Sequence, residues 1–213
     1  MYPDRPYPED IYTEPASIDP RTLDRLGPLR PMAGVWEGVR GRDEHPVAEG
    51  TGEDLFLERI ELQPIDPQSN GPQLLYGLRY HTHIVRPGEI ATFHDQVGYW
   101  LWEPATGTLL HTIAIPRGQV VLASGHAAPD ARQFEVEARL GATTAGICSA
   151  PFLDHAFRTL EFRMRVTIDA AGSWSYEEDT VLAVRGRTEP FHHRDRNTLV
   201  KVADPTPNPL AGP

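Results

Sequence analysis

Glu161-Phe-Arg-Met-Arg-Val-Thr-Ile168, then Asp169-Ala-Ala-Gly172, then Trp174-Ser-Tyr176 and Thr180-Val-Leu-Ala-Val184 decide the fold class. Phe162, Met164, Val166 and Ile168 alternate with Glu161, Arg163, Arg165 and Thr167. Side chains of a strand point to opposite faces in turn, so this spacing describes one buried and one wet face. Asp169–Gly172 is too short for a crossover helix, which makes the flanking strands antiparallel neighbours. The same pattern recurs on the N-terminal side. Phe134, Val136 and Ala138 alternate with Glu135, Glu137 and Arg139. Gln119–Ala123 follows the hairpin signal Pro116-Arg-Gly118, and a turn ending at Gly107 parts Val97–Trp102 from Leu109–Ile115. Leu74–Val85, Phe56–Leu62 and a first strand at Gly34–Gly38 complete about ten short strands. Only Thr22–Gly27 reads as helical, so no amphipathic helix covers a sheet. Closure into a barrel or a two-sheet sandwich then removes the edges. The expectation is an all-β chain, a single antiparallel up-and-down β-barrel of about ten strands.

Composition bounds the partners. The 213 residues carry a formal net charge of −10, which argues against nucleic acid and anionic membrane as targets. No run approaches the ~18 apolar residues of a membrane span, and the first residues do not read as a signal peptide. The single cysteine, Cys148, excludes an intramolecular disulfide, and a cytoplasmic location is expected. Of 21 prolines, 11 fall in residues 1–31 or 205–213. Proline fixes φ and removes a donor, so the expected organisation is a Pro-rich extension over 1–25, a barrel over 26–203 and a flexible tail over 204–213. Tyr2, Tyr7 and Tyr12 in the extension offer contacts to the barrel surface or, in a homodimer, to a second subunit.

The segment Leu26-Gly-Pro-Leu-Arg-Pro-Met-Ala-Gly34-Val-Trp36-Glu-Gly38 places glycines on either side of a tryptophan. Glycine lets backbones approach closely, and an indole can plug one end of a barrel. This resembles the opening Gly-x-Trp-x-Gly-x-Gly of the nitrobindin-like family, small barrels similar to fatty-acid-binding proteins and lipocalins that often carry haem. Gly34, Trp36 and Gly38 match, whereas Arg40 stands at the third glycine and Gly41 follows it. Phe93-His94-Asp-Gln-Val-Gly98, Pro116-Arg-Gly118 and Pro190-Phe-His-His-Arg-Asp-Arg-Asn-Thr-Leu199 extend the resemblance over roughly residues 26–202.

The last motif departs from the haem-binding pattern. Counting from Pro190 or back from Leu199 puts Arg194 where the resemblance implies an axial histidine, with His192 and His193 before it. A guanidinium has no lone pair for iron. The resemblance therefore implies binding of a hydrophobic small molecule, fatty-acid-like or haem-like, without histidine-ligated haem. Arg194 is expected to pair with an acid head, with Trp36, Phe93, His94 and Val184 lining the cavity. Arg163, Arg165 and Tyr176 are further candidates, unless alternation puts both arginines outside, and Arg194 with Asp195 reads equally as a structural ion pair. The alternative is ferric haem b on His193, and with it nitric oxide binding or isomerisation of peroxynitrite, the one enzymatic reading. No other cofactor is implied.

A metal-binding, cupin-like barrel is the rival from another class. His81-Thr-His83 puts two imidazoles on one strand face. Glu89, six positions after His83, is farther than cupin-like spacing wants, the second His-bearing motif is missing, and His111 is the one spare histidine on a following strand. Hydrolase chemistry finds no Gly-x-Ser-x-Gly, Cys148 has no base near it in sequence, and no phosphate loop or dinucleotide fingerprint occurs.

Overall fold

A computed structural model of the chain describes residues 8–208. Twelve strands form one sheet: β1 Gly34–Pro46, β2 Thr51–Pro64, β3 Gln68–Asn70, β4 Gln73–Val85, β5 Thr92–Glu103, β6 Thr108–Ile115, β7 Gln119–His126, β8 Gln133–Leu140, β9 Gly146–Ser149, β10 Phe157–Ile168, β11 Trp174–Val184 and β12 Phe191–Ala203. The sheet closes because β1 pairs with β12 and β2 pairs with β4, leaving β3 as a short flap on β4. Neighbours are antiparallel except where β9 lies between β7 and β8 and runs parallel to β8. The barrel is therefore mixed, with eleven strands in its wall. The quoted stretch behaves as its alternation requires: Phe162, Met164, Val166 and Ile168 are buried, and Ile168 pairs with Trp174 across the turn.

Besides β3 and a 3-10 helix at Gly27–Met32, four elements depart from the expected pattern. β9 falls in the Gly- and Thr-rich segment after Gly141, where backbone pairing with β7 and β8 overrides weak propensity. The runs at Trp174–Tyr176 and Thr180–Val184 are one strand, β11, continuous through three acids. The segment Phe191–Ala203 is a full strand closing the barrel. A short helix, α2, spans Pro151–Ala156.

One end of the barrel is plugged. A single helical turn, α1 at Thr22–Arg25, leads into a 3-10 helix at Gly27–Met32. Leu26, Leu29 and Met32 are fully buried there, each worth about 1.5–3 kcal/mol relative to exposure. Gly27 has φ +53°, and a Cβ on it would press into the Trp102 ring at 2.6 Å. Trp36 is 0% exposed beneath the floor, its indole N–H donating to the Met32 carbonyl at 2.7 Å.

In the N-terminal segment, the Tyr76 hydroxyl donates to the Asp19 carbonyl at 3.3 Å, and Thr22 Oγ1 donates to the Ile65 carbonyl at 2.7 Å. In the C-terminal segment, the Thr206 N–H donates to Gln63 Oε1 at 2.6 Å, and Asn208 Nδ2 donates to Asp66 Oδ2 at 2.7 Å. Residues on both sides of the barrel domain are thus tied to its plugged end. Tyr2, Tyr7 and residues 209–213 lie outside the described residues.

On the outer wall, Arg163 and Arg165 pair with Glu135 and Glu137 at 3.0–3.5 Å, about half exposed. Pairs of this kind contribute about 0–1 kcal/mol each. Among the described residues, no helix is long and apolar enough to cross a membrane.

Candidate functional site

Two hollows stand out. The larger, about 1010 Å³, lies along exposed Val97, Tyr99, Val120 and Leu122 on the outer surface. The second, about 480 Å³, is inside the barrel, between the plugged floor and an end bounded by Pro46, Phe93, Arg117 and Leu153 of α2. That volume lies in the usual range of small-molecule sites. The interior hollow is the candidate site because buried ionisable groups converge on it.

Its wall is largely aromatic and aliphatic: Phe56, Ile60, Phe93, Trp100, Met164, Trp174 and Leu182 face it. The signature glycines explain how the wall accommodates its polar groups. A Cβ on Gly38 would overlap the Asn197 side chain, and one on Gly41 would overlap the Phe56 ring. A bulge lies between Gly38 and Gly41 in the β1–β2 pairing, so a glycine one place later than the family's third meets the need. Gly98 is required for the same reason, since a Cβ there would overlap the Thr112 carbonyl oxygen.

The polar groups come from four adjacent strands, β2, β1, β12 and β11. Asp43 on β1 is opposite Asp195 on β12, and Glu178 on β11 is opposite Asp195 on its other side. Directly opposed residues share a face of the sheet, so these carboxyls meet on the inner wall. His193 Nε2 is 2.6 Å from Asp43 Oδ1 and 3.4 Å from Asp195 Oδ2, while His45 Nδ1 is 2.5 Å from Asp43 Oδ2. Farther along β2, Glu58 Oε2 accepts the Tyr176 hydroxyl and Asn197 Nδ2, each at 2.9 Å.

Burial disfavours charge on these acids. It raises Glu58 to about 7 against the opposing bonds from Asn197 and Tyr176. It raises Glu178 to about 7 as well, although the His193 charge opposes it. Asp195 is pushed well up by burial and then by Glu178 and Asp43. Asp43 goes the other way. Burial would raise it, but the bonds from His193 and Asp195 outweigh burial and hold it at about 2. The arrangement is one ionised carboxylate, Asp43, among acids that hold their protons up to about neutral pH.

The expected site residues divide. Phe93, His94 and His193 line the cavity. His94 Nε2 is 3.2 Å from Gln96 Oε1, and burial lowers the His94 pKa. Trp36 lies below the floor and reaches the cavity only through Trp174, edge to face at 6.2 Å. Val184 is off the lining, its place on β11 being taken by Leu182 and Thr180. Arg194 is a correction. It is exposed on the outer wall, beside Arg163 and Arg165, because alternation along β12 turns His193 and Asp195 inward. The histidines of the cupin-like reading also point outward, His81 to Asp95 at 2.9 Å and His83 to Thr92 at 3.1 Å. Among the described residues, the groups close enough to share a metal ion are Asp43–His193–Asp195 and Asp43–His45–Asp54, and neither contains them.

Two inward polar residues carried a readable signal that the alternation above did not use. Glu58 sits between Phe56 and Ile60, and His111 between Leu109 and Ile113, each on the apolar phase of its strand. His111 is 2% exposed and stacks on Trp100 with ring centroids 3.8 Å apart.

Comparison with known proteins agrees with this barrel. A solved structure titled "Crystal Structure of Rv2717c from M. tuberculosis" superposes with a TM-score of 0.57 at 20% identity, covering 85% of this chain and 97% of that one. This likeness shows the fold. No curated protein matches the chain in sequence. The sequence profile described as "THAP4-like, heme-binding beta-barrel domain" matches residues 25–201, which contain every wall strand but the last two residues of β12. The chain belongs to this THAP4-like family of ligand-binding, nitrobindin-like barrels.

Proposed function

We propose that the barrel binds an uncharged or cationic, largely aromatic small molecule in its interior, without histidine-ligated iron. The observation that carries this reading is the inner wall itself: aromatic rings together with Asp43, Glu58, Glu178 and Asp195. Of the two arginines on the cavity, Arg86 is paired through Nη2 while its buried Nε has no partner, and Arg117 is exposed. Arg86 Nη2 donates to Asp54 at 2.7 Å and its guanidinium covers the Phe93 ring, while exposed Arg117 reaches the Phe93 carbonyl at 3.4 Å. An anionic head inside would meet the ionised Asp43, while the cationic groups beside it, His193 and Arg86, already face Asp43 and Asp54. An acid-headed lipid is thereby disfavoured.

Haem is the rival that the family description brings. An axial histidine must offer iron a free nitrogen lone pair. His193 is the inward histidine on β12, but its Nε2 is engaged by Asp43 and Asp195. His94 Nε2 faces Gln96. His111 is packed against Trp100, Tyr80 and Phe162, with centroids at 3.8, 5.3 and 6.3 Å. These contacts support a reading without axially ligated haem.

The test is a visible spectrum of purified protein after adding haemin, for wild type and His193→Ala. Indistinguishable spectra without a sharp Soret band are expected. A sharp Soret band that His193→Ala removes would overturn the reading.

A further inference from the structure

His111 carries the strongest unmet demand in the cavity. Its ring lines the hollow, yet neither Nδ1 nor Nε2 has a hydrogen-bond partner among the described residues. Its neighbours are rings: Trp100 stacked within 9° of parallel, Tyr80 and Phe162. Burial alone holds its pKa down to about 3, so the ring is uncharged at neutral pH. An uncharged imidazole is a donor at one nitrogen and an acceptor at the other. Leucine or phenylalanine would fill the position with no polar group to satisfy, and leaving such groups unpaired in a core is costly. Two further orphans lie on the cavity lining, the Trp174 indole N–H and Arg86 Nε.

We infer that His111 is the hydrogen-bonding anchor of the barrel's ligand, recognising a hydroxyl or amide group on an aromatic body stacked beside Trp100. This rests on the reading that the barrel binds an uncharged or cationic aromatic molecule, and it adds the polar group that the molecule must carry. The imidazole gives orientation and selectivity, while the rings give affinity. The acids around Asp43 and Glu58 form no hydrogen bond with His111.

The experiment uses a matched pair of probes, naphthalene and 1-naphthol, with wild type and His111→Leu. Wild type is expected to bind 1-naphthol about tenfold tighter than naphthalene. His111→Leu is expected to keep naphthalene affinity and lose the preference. Because leucine removes two unsatisfied atoms, the variant should melt no lower than wild type. In wild type, 1-naphthol but not naphthalene should shift the imidazole nitrogen resonances of His111, a readout that needs no variant. Equal affinity for both probes in wild type, a preference that survives in His111→Leu, or an unmoved imidazole signal would overturn the anchor while leaving a ligand-binding barrel. Binding of neither probe would overturn both.

Discussion

Folding stability is expected to fall as pH rises from about 4.5 to 7, and Glu58→Gln is expected to remove a large part of that fall. The folded carboxyl titrates at about 7, raised by burial above its ordinary 4.5. Between those values the unfolded chain has released a proton that the folded chain still holds, so raising pH favours unfolding. The stabilisation is present in full below about 4.5 and gone above about 7. A gap of that size corresponds to roughly 3 kcal/mol for one group. Glu178, also raised to about 7, contributes in the same direction. Glutamine keeps an oxygen for Tyr176 and Asn197 and has no proton to lose. Urea unfolding of both proteins between pH 4.5 and 8 measures the effect. A fall of the same size in Glu58→Gln would show that Glu58 does not hold its proton in the fold. Asp43 sets the opposite, acidic limit: held at about 2, it stabilises above its ordinary 3.8 and ceases to as pH drops through 2.

Trp36→Ala is expected to cost about 3–5 kcal/mol, the range for emptying a large aromatic site in a core. The ring is fully buried, its N–H satisfies the Met32 carbonyl, and its edge contacts Trp174 above it. Removing it detaches the 3-10 plug from β1 and leaves a void next to the cavity floor. The measurement is the midpoint of urea unfolding at constant pH. A loss below about 1 kcal/mol would show that the plug is held by Leu26, Leu29 and Met32 without the indole. The prediction assigns the signature tryptophan to the floor, where substitution acts on ligand affinity only through Trp174.

The barrel was legible because strand alternation is local. Phe162 to Ile168 and Phe134 to Ala138 each announce a buried face within a few residues, and closure follows from the lack of covering helices. Two elements were not. β9 depends on backbone pairing with β7 and β8 that no local alternation announces, and β11 continues through Glu177-Glu178-Asp179, of which only Glu178 faces the cavity. The site was read less well for the same reason. Counting from Pro190 and Leu199 put Arg194 at the functional position, yet which face it takes depends on how β12 pairs with β1, where the register shifts twice. Once that register is set, His193 and Asp195 are inside and Arg194 is outside. Phe93 and His94 were placed on the cavity by the family motif, and they line it.

The central claim is that an acid-lined aromatic interior accepts uncharged or cationic molecules. It is tested most directly by titrating the protein at pH 7.5 with two fluorophores of the same size, 1-aminoanthracene and 1-anthracenecarboxylate. The account predicts one site per chain for the amine and at least tenfold weaker binding of the carboxylate, with the difference reduced in Asp43→Asn. Equal or tighter binding of the carboxylate would contradict it.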